Sequence, residues 1–306
     1  MNSYLAIESE IAAAIDNGGP VVALESNLIT YGIPYPENIA FARDFEQLIR
    51  ENGAVPALTA IIGGKLKVGL DDDELAEIAL PNRVPKASRR DMAQLVASGK
   101  PGATTVASTM IIAEMAGIMV FCTGGIGGVH RGGERTFDVS ADLQELARSN
   151  VAVLSAGAKS ILDIGLTLEY LETMGVPVIG LRTSDFPAFF CRESGHAVDT
   201  RCETEAEVAR LVKTKWDLGL RGGIVIGNPI PAEYSMDFDE MERVIQQALE
   251  EAGRQGVKGK QVTLFMLAKL KELTGGDSFA ANLQLLQHNA RNSAKLAIEL
   301  AELYAG

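Results

Sequence analysis

Six short runs constrain this chain most: VVALES (21–26), PALTAIIGG (56–64), IMVFCTGG (118–125), VAVLSAG (151–157), VPVIGL (176–181) and GGIVIGN (222–228). Each is rich in β-branched residues, and most are apolar on both faces. A strand that is apolar on both faces has to be covered twice, which is the condition of a buried, mostly parallel sheet. Helical patterns with readable ends lie between the runs. Asn38 reads as the N-cap of a helix over 38–52 with Gly53 at C′, and Gly117 closes a helix over 105–116. Further helices start at Ser140 and at Ser160, the second with Ser160 and Asp163 as a weak capping box. The alternation predicts an α/β fold, layered α/β/α around a mostly parallel buried sheet. From about residue 236 the strand signal stops, and three helical stretches predict a helical C-terminal part folded against the α/β body of a single 1–306 domain.

Composition removes several classes of function. A net charge of −12 and a pI near 4.9 make a poor binder of nucleic-acid backbone, so an anionic ligand must be small and held by a local cluster of donors. No run of 18 or more apolar residues exists, so no membrane helix is expected. The start, MNSYLAIESEIAAAID, lacks the basic region and cleavage site of a signal peptide and reads as an amphipathic helix. The 3 cysteines show no CxxC spacing, and the 3 histidines are scattered. That pattern favours a reducing cytoplasm over a disulfide frame or a structural zinc site.

Several segments carry possible chemistry. Glycine clusters recur at GGK (63–65), CTGGIGGVHRGGE (122–134) and TGGD (274–277), read as strand ends. The second is followed by His130 and Arg131, and backbone N–H groups with two such donors suit a phosphate as well as they suit a plain turn. KASRRD (86–91) concentrates three cations, and GKPGATTVAST (99–109) brings hydroxyls to a helix start; alone, these read as a solvated face and a cap. Asp142 falls in the first turn of a helix, where aspartates are common for dipole reasons. Asp138 lies outside that helix, as a single carboxylate at a loop mouth of the kind that holds a hydrated divalent cation. Glu25 ends a buried strand, where apolar surroundings raise a carboxyl pKa and keep a proton available. Lys159, in SAGAKSILDIG (155–165), follows another buried strand beside the expected helix start at Ser160. Burial and a positive helix end both disfavour the ammonium, leaving a nucleophilic amine. A lysine reaching water, or pairing with Asp163, accounts for the same residues.

These segments occur together in one order. VALES and YPEN, then AIIGG, KASRRD, GATTVASTM, TGGIGGVHRG, TFDVSADLQEL, SAGAKSILD, PAFFCR, NPIP and TGGDSFAANLQL run from residue 21 to about 286. The chain closely resembles the pseudouridine-5′-phosphate glycosidase family, also called the indigoidine synthase A-like family, over nearly its whole length. The resemblance implies cleavage of pseudouridine 5′-phosphate with water to uracil and ribose 5-phosphate. It also implies one Mn²⁺ per subunit, or another divalent cation, and a cytoplasmic homotrimer. Residue by residue, it implies that Lys159 attacks the anomeric carbon, that Glu25 is the proton donor and that Asp142 relays protons or orients a sugar hydroxyl. Lys86, Val106, Ser140, Ala141 and Asp142 match substrate-contacting positions, Asp138 the metal ligand, and His130 and Asn282 active-site polar groups. ESNLITYG (25–32) departs from the pattern expected for the family, with Asn27 where a Thr is expected and Tyr31 where a His is common. The competing readings are another Schiff-base lyase or aldolase acting on a sugar phosphate, which would share Lys159, and a non-catalytic sugar-phosphate sensor. Binding alone would need neither Lys159 nor Glu25.

Overall fold

The computed structural model describes residues 2–80, 83–257 and 261–306. All six of the apolar runs contain strands, and they belong to an 11-stranded sheet. Its main path runs Leu5–Ile7, Lys65–Val68, Val55–Ile62, Val21–Glu25, Val120–Cys122, Ala152–Ser155, Ile224–Gly227, Val178–Leu181 and Thr200–Cys202. From Val55–Ile62 onward every neighbouring pair is parallel, with Val22 opposite Val120 and Val120 opposite Ala152. Lys65–Val68 and Gly102–Thr104 instead run antiparallel to Val55–Ile62. Every residue of Val21–Glu25, Val120–Cys122 and Ala152–Ser155 is buried, so helices cover both faces.

The last helix, Asp277–Ala305, is part of that cover. It packs on Val120–Cys122, Val21–Glu25 and Ala152–Ser155, burying Ala281, Leu285, Leu286, Ala290 and Ala294. Small side chains on one helical face let it approach the central strands closely. Phe238–Arg254 and Gln261–Leu273 complete the helical C-terminal part. No helix among the described residues is long and apolar enough to cross a membrane.

Four local expectations are corrected. Residues 5–7 are an edge strand, pairing with Lys65–Val68, and only Ser9–Asp16 of the N-terminal segment is helical. Asn38 is not an N-cap; it lies in the first turn of Glu37–Glu51, fully buried, and its amide donates to the carbonyls of Ile29 and Ala79. No helix starts at Ser160: a short strand, Leu162–Asp163, comes first, and Asp163 caps Ile164–Thr173 by accepting from Leu166 N–H. The glycines of TGGD connect two helices, not a strand to a helix, and Gly275 and Gly276 supply the positive φ values of 61° and 102° that the tight link requires. The starts at Thr105 and Ser140 and the stop at Gly117 are as read.

Candidate active site

Val21–Glu25, Val120–Cys122 and Ala152–Ser155 are sheet neighbours, and their carboxyl ends open at one edge, where parallel α/β sheets hold their ligands. Glu25 ends the first strand, Thr123 follows the second, and Lys159 comes four residues after the third. The segments beyond the second and third strands remain zipped together by backbone bonds. Thr123 N–H donates to Leu154 O at 3.1 Å, Ala156 N–H to Gly124 O at 2.9 Å, and Lys159 N–H to Ile126 O at 3.1 Å. The glycine-rich loop thus fixes where Lys159 stands. Gly125 has to be glycine, because a Cβ there would lie 2.6 Å from the Phe189 ring.

A pocket at this edge is lined by Glu25, Asn27, Tyr31, Lys86, Thr123, Gly124, Gly125, Lys159 and Asn282, roofed by Phe189, Leu267 and Leu270. Four of the residues read from the sequence, Glu25, Lys86, Lys159 and Asn282, therefore share one apolar-walled space. Glu25 is 6% exposed; its Oε1 accepts from the Thr123 hydroxyl at 2.5 Å, and its Oε2 is buried without a hydrogen-bond partner. Burial pushes its carboxyl pKa up, against the opposing pull of the Lys159 charge, the Thr123 hydroxyl and Lys86; Asp142 adds to the rise. Lys159 is half-buried, and no carboxylate of the described residues lies within ion-pair reach of its amine. The alternative pairing with Asp163 is not made, because that carboxylate caps the helix. For the same reason the nearest helix end acts on Asp163 and not on Lys159.

The cationic run splits by function. Lys86 is half-buried in the pocket wall, its Nζ 5.3 Å from the centre of the Tyr31 ring, while Tyr31 Oη donates to Val84 O at 2.5 Å. Arg89 forms a two-pronged pair with Glu145 at 2.6 and 2.9 Å, and Arg90 faces water. Arg131, read as a donor to phosphate, is engaged elsewhere, in a two-pronged pair with Glu242 at 2.6 and 2.8 Å and a bond to Ser160 O.

The remaining candidates do not line this pocket. Asp142 is buried, with Oδ1 accepting from Ala107 N–H and Oδ2 from Gly127 N–H, both at 2.9 Å. It thereby ties the start of Val106–Ala116 to the glycine loop. Val106 is the first residue of that helix, and its side chain is in the core. Ser140 caps Ala141–Leu146 by accepting from Asp142 N–H, and Ala141 is exposed. His130 is half-buried on the ribbon Val129–His130, which pairs with Leu162–Asp163; its N–H donates to Asp138 O, and Asp138 itself is exposed.

Sequence reading missed Thr123 and Phe189, and met Asn27 only as a departure from the family pattern. Thr123 stands inside CTGGIGG and reads as part of a turn; only the strand order puts it beside Glu25. Asn27 Oδ1 is buried without a partner, and Phe189 is held at φ 63°, a left-handed value unusual for an aromatic residue. The repeated aromatic in PAFFCR was the available signal for the second.

An amine and a buried carboxyl with a raised pKa line one pocket at the carboxyl edge of a parallel sheet, which is the architecture of an α/β enzyme. The chain belongs to the indigoidine synthase A-like family, whose pattern matches residues 10–299. It is 57% identical to the pseudouridine-5′-phosphate glycosidase of Caldanaerobacter subterraneus subsp. tengcongensis over 99% of each chain, and 56% identical to that of Petrotoga mobilis over 97% of each. The prealnumycin C-glycosynthase AlnA, solved with ribulose 5-phosphate, superposes with a TM-score of 0.93 at 41% identity, covering 100% of this chain and 99% of that one. An indigoidine synthase A-like protein from Thermotoga maritima gives 0.88 at 37% identity over 98% of both chains.

Proposed function

We propose that this chain is a pseudouridine-5′-phosphate glycosidase, cleaving the C-glycosidic bond of pseudouridine 5′-phosphate with water to give uracil and ribose 5-phosphate, reversibly. The observation that carries the reading is Lys159 facing the buried acid Glu25 in one pocket. The names of the relatives support the substrate, and the sugar phosphate bound by AlnA supports the ligand class.

The difficulty of the reaction is its leaving group. Paired-carboxylate glycosidases protonate an oxygen or nitrogen as it departs; here the sugar is bonded to a ring carbon. In the proposed course the lone pair of the Lys159 amine bonds to the anomeric carbon as the bond to the ring oxygen breaks, and the oxygen takes the proton the amine loses. Glu25 then gives its proton to the uracil carbon. The nitrogen lone pair forms an iminium as the carbon–carbon bond breaks, and that bond's electron pair returns to the pyrimidine ring. Water adds to the iminium, freeing ribose 5-phosphate and the amine. Lys86 and Asn282 bind substrate within the pocket; Asp142 holds Ala107, beside Val106, and the glycine loop, with Ser140, Ala141 and His130 on the phosphate side.

Manganese or another divalent cation enters this reading at Asp138. Among the described residues no group of three or more His, Cys, Asp or Glu side chains converges, so Asp138 would supply one oxygen to a largely hydrated ion. Such an ion would offset phosphate charge. The reading also includes a homotrimer, supported by exposed Phe137, Leu218 and Leu220, and a cytoplasmic setting, supported by three free, buried cysteines. The test is release of uracil from pseudouridine 5′-phosphate with Mn²⁺, with borohydride trapping of the sugar on the protein. Lys159→Ala is expected to abolish both; an alanine variant with full activity would overturn the mechanism.

A further inference from the structure

Behind the acid lies a chain of buried amides that nothing above uses. Asn289 of the last helix is fully buried, and its Nδ2 donates to the carbonyl of Thr123 at 2.9 Å. Its Oδ1 accepts from Asn228 Nδ2 at 2.8 Å, and Asn228 Oδ1 accepts from Asn292 Nδ2 at 2.9 Å. Asn228 follows the strand Ile224–Gly227, and its N–H donates to Ser155 O at 2.8 Å, on the strand that leads to Lys159. One polar chain therefore runs from the last helix to Thr123, the partner of Glu25, and to the strand that leads to Lys159. Asparagine amides are costly to bury unless their bonds are made, so three of them in the core mark a geometry that is held deliberately.

Thr123 is where that chain meets Glu25. Its hydroxyl donates to Oε1, and with Oε1 accepting, Oε2 is the oxygen left to carry the carboxylic proton. Oε2 has no partner. A buried oxygen with no donor aimed at it is the place for the carboxylic proton, and it lies on an acid that lines the pocket.

We propose that Thr123, held by Asn289, Asn228 and Asn292, is the positioning residue for the proton donor: it fixes Oε1 as acceptor, so that Glu25 delivers its proton from Oε2. The proposal rests on the glycosidase reading for the reaction, but not for the geometry. The proton leaves Oε2, the uracil carbon accepts it, and Oε1 takes the negative charge with the Thr123 hydroxyl bond already in place. The last helix thus sets the orientation of an acid some 260 residues earlier in the chain, as the span from Glu25 to Asn289 requires.

The experiment compares Thr123→Val, Thr123→Ser and Asn289→Ala in steady-state cleavage of pseudouridine 5′-phosphate across pH, with folding followed by thermal denaturation. Thr123→Val is expected to lower kcat by roughly 10²-fold with KM little changed, the scale of a misplaced catalytic group. Its pH profile should also move. The hydroxyl favours the charged acid, so removing it raises the Glu25 pKa further and shifts the alkaline limb upward. Lys159, Lys86, Asp142, Cys122 and Glu46, which act on or lie beside Glu25, and His288, bonded to Asn292, are unchanged in every variant. Thr123→Ser should restore both kcat and profile, and Asn289→Ala should move both in the Val direction by less. Equal loss in Val and Ser, or a Val variant with the parent profile, overturns the proposal. An infrared carboxylic-acid band that is lost in Glu25→Gln gives an independent reading: it should shift in Thr123→Val and return in Thr123→Ser. If the unaltered protein releases no uracil, the glycosidase reading has failed, and the infrared comparison alone decides this one.

Discussion

Glu25 and Asp142 are equally buried, each 6% exposed, yet they are opposite kinds of carboxylate. Asp142 receives a backbone N–H on each oxygen, one from a helix start and one from the glycine loop. Glu25 receives one hydroxyl on one oxygen and nothing on the other. The number of donors, and not the depth, separates a carboxylate that holds backbone in place from one whose charge is disfavoured. Strand order explains the difference. Glu25 ends a strand facing apolar walls, whereas Asp142 sits where two loops turn their N–H groups inward.

The largest expected effect separates the two by activity. Glu25→Gln keeps shape and removes the transferable proton. It should lower kcat by about 10²–10⁴-fold, the range for a positioned general acid, while thermal stability holds or rises because no buried charge remains to be desolvated. A Gln variant with wild-type kcat would remove Glu25 from the reaction. The next effect is on stability. Asp142→Asn turns an NH₂ group or a poorer acceptor toward a backbone N–H, and should cost about 1–3 kcal/mol in denaturant unfolding. If Asp142→Asn were as stable as the parent while Glu25→Gln unfolded, the comparison would be reversed.

A smaller effect is read in pH. The Glu25 pKa in the fold lies above its ordinary 4.5, so its contribution to stability is fully present below that value and is lost as pH rises through the folded pKa. Stability should therefore decline with rising pH over that window, and Glu25→Gln should flatten the decline. The test is a series of denaturation midpoints on both proteins; identical slopes would place Glu25's titration outside the fold's energetics.

This contrast also marks how far the sequence could be read. The apolar runs announced the sheet because a parallel strand must be apolar on both faces, and every run became a strand. Glu25 and Lys159 were legible because the first ends such a run and the second comes shortly after one. Edge strands such as Leu5–Ile7 and Thr200–Cys202 were not, since they are short and partly exposed and carry no two-sided apolar signal. Ser160 and Asn38 misled for one reason: a residue type suited to capping does not cap when the chain has another use for it. Asn38 is bonded to two carbonyls, and Ser160 precedes a strand that local spacing gives no sign of. Thr123, Asn228 and Asn289 were out of reach because their meeting depends on strand order and on where the last helix lands.

Tyr31 offers the finest test of the same distinction, because its ring and its hydroxyl touch different things. The hydroxyl donates to Val84 O, and the ring lies beneath the Lys86 ammonium in the pocket wall. Tyr31→Phe removes the hydroxyl bond alone. It should cost about 1 kcal/mol of stability and leave kcat and KM near parent values. Tyr31→Leu also removes the ring face, worth about 0.5–1 kcal/mol to a cation at such a site, which corresponds to a rise in KM of roughly two- to fivefold. Lys86 has interactions besides this ring, so its charge stays in the wall and kcat should hold. A Phe variant as impaired in KM as the Leu variant would mean that the hydroxyl, through Val84 and the strand that follows it, positions Lys86 for substrate, and that the ring is only packing.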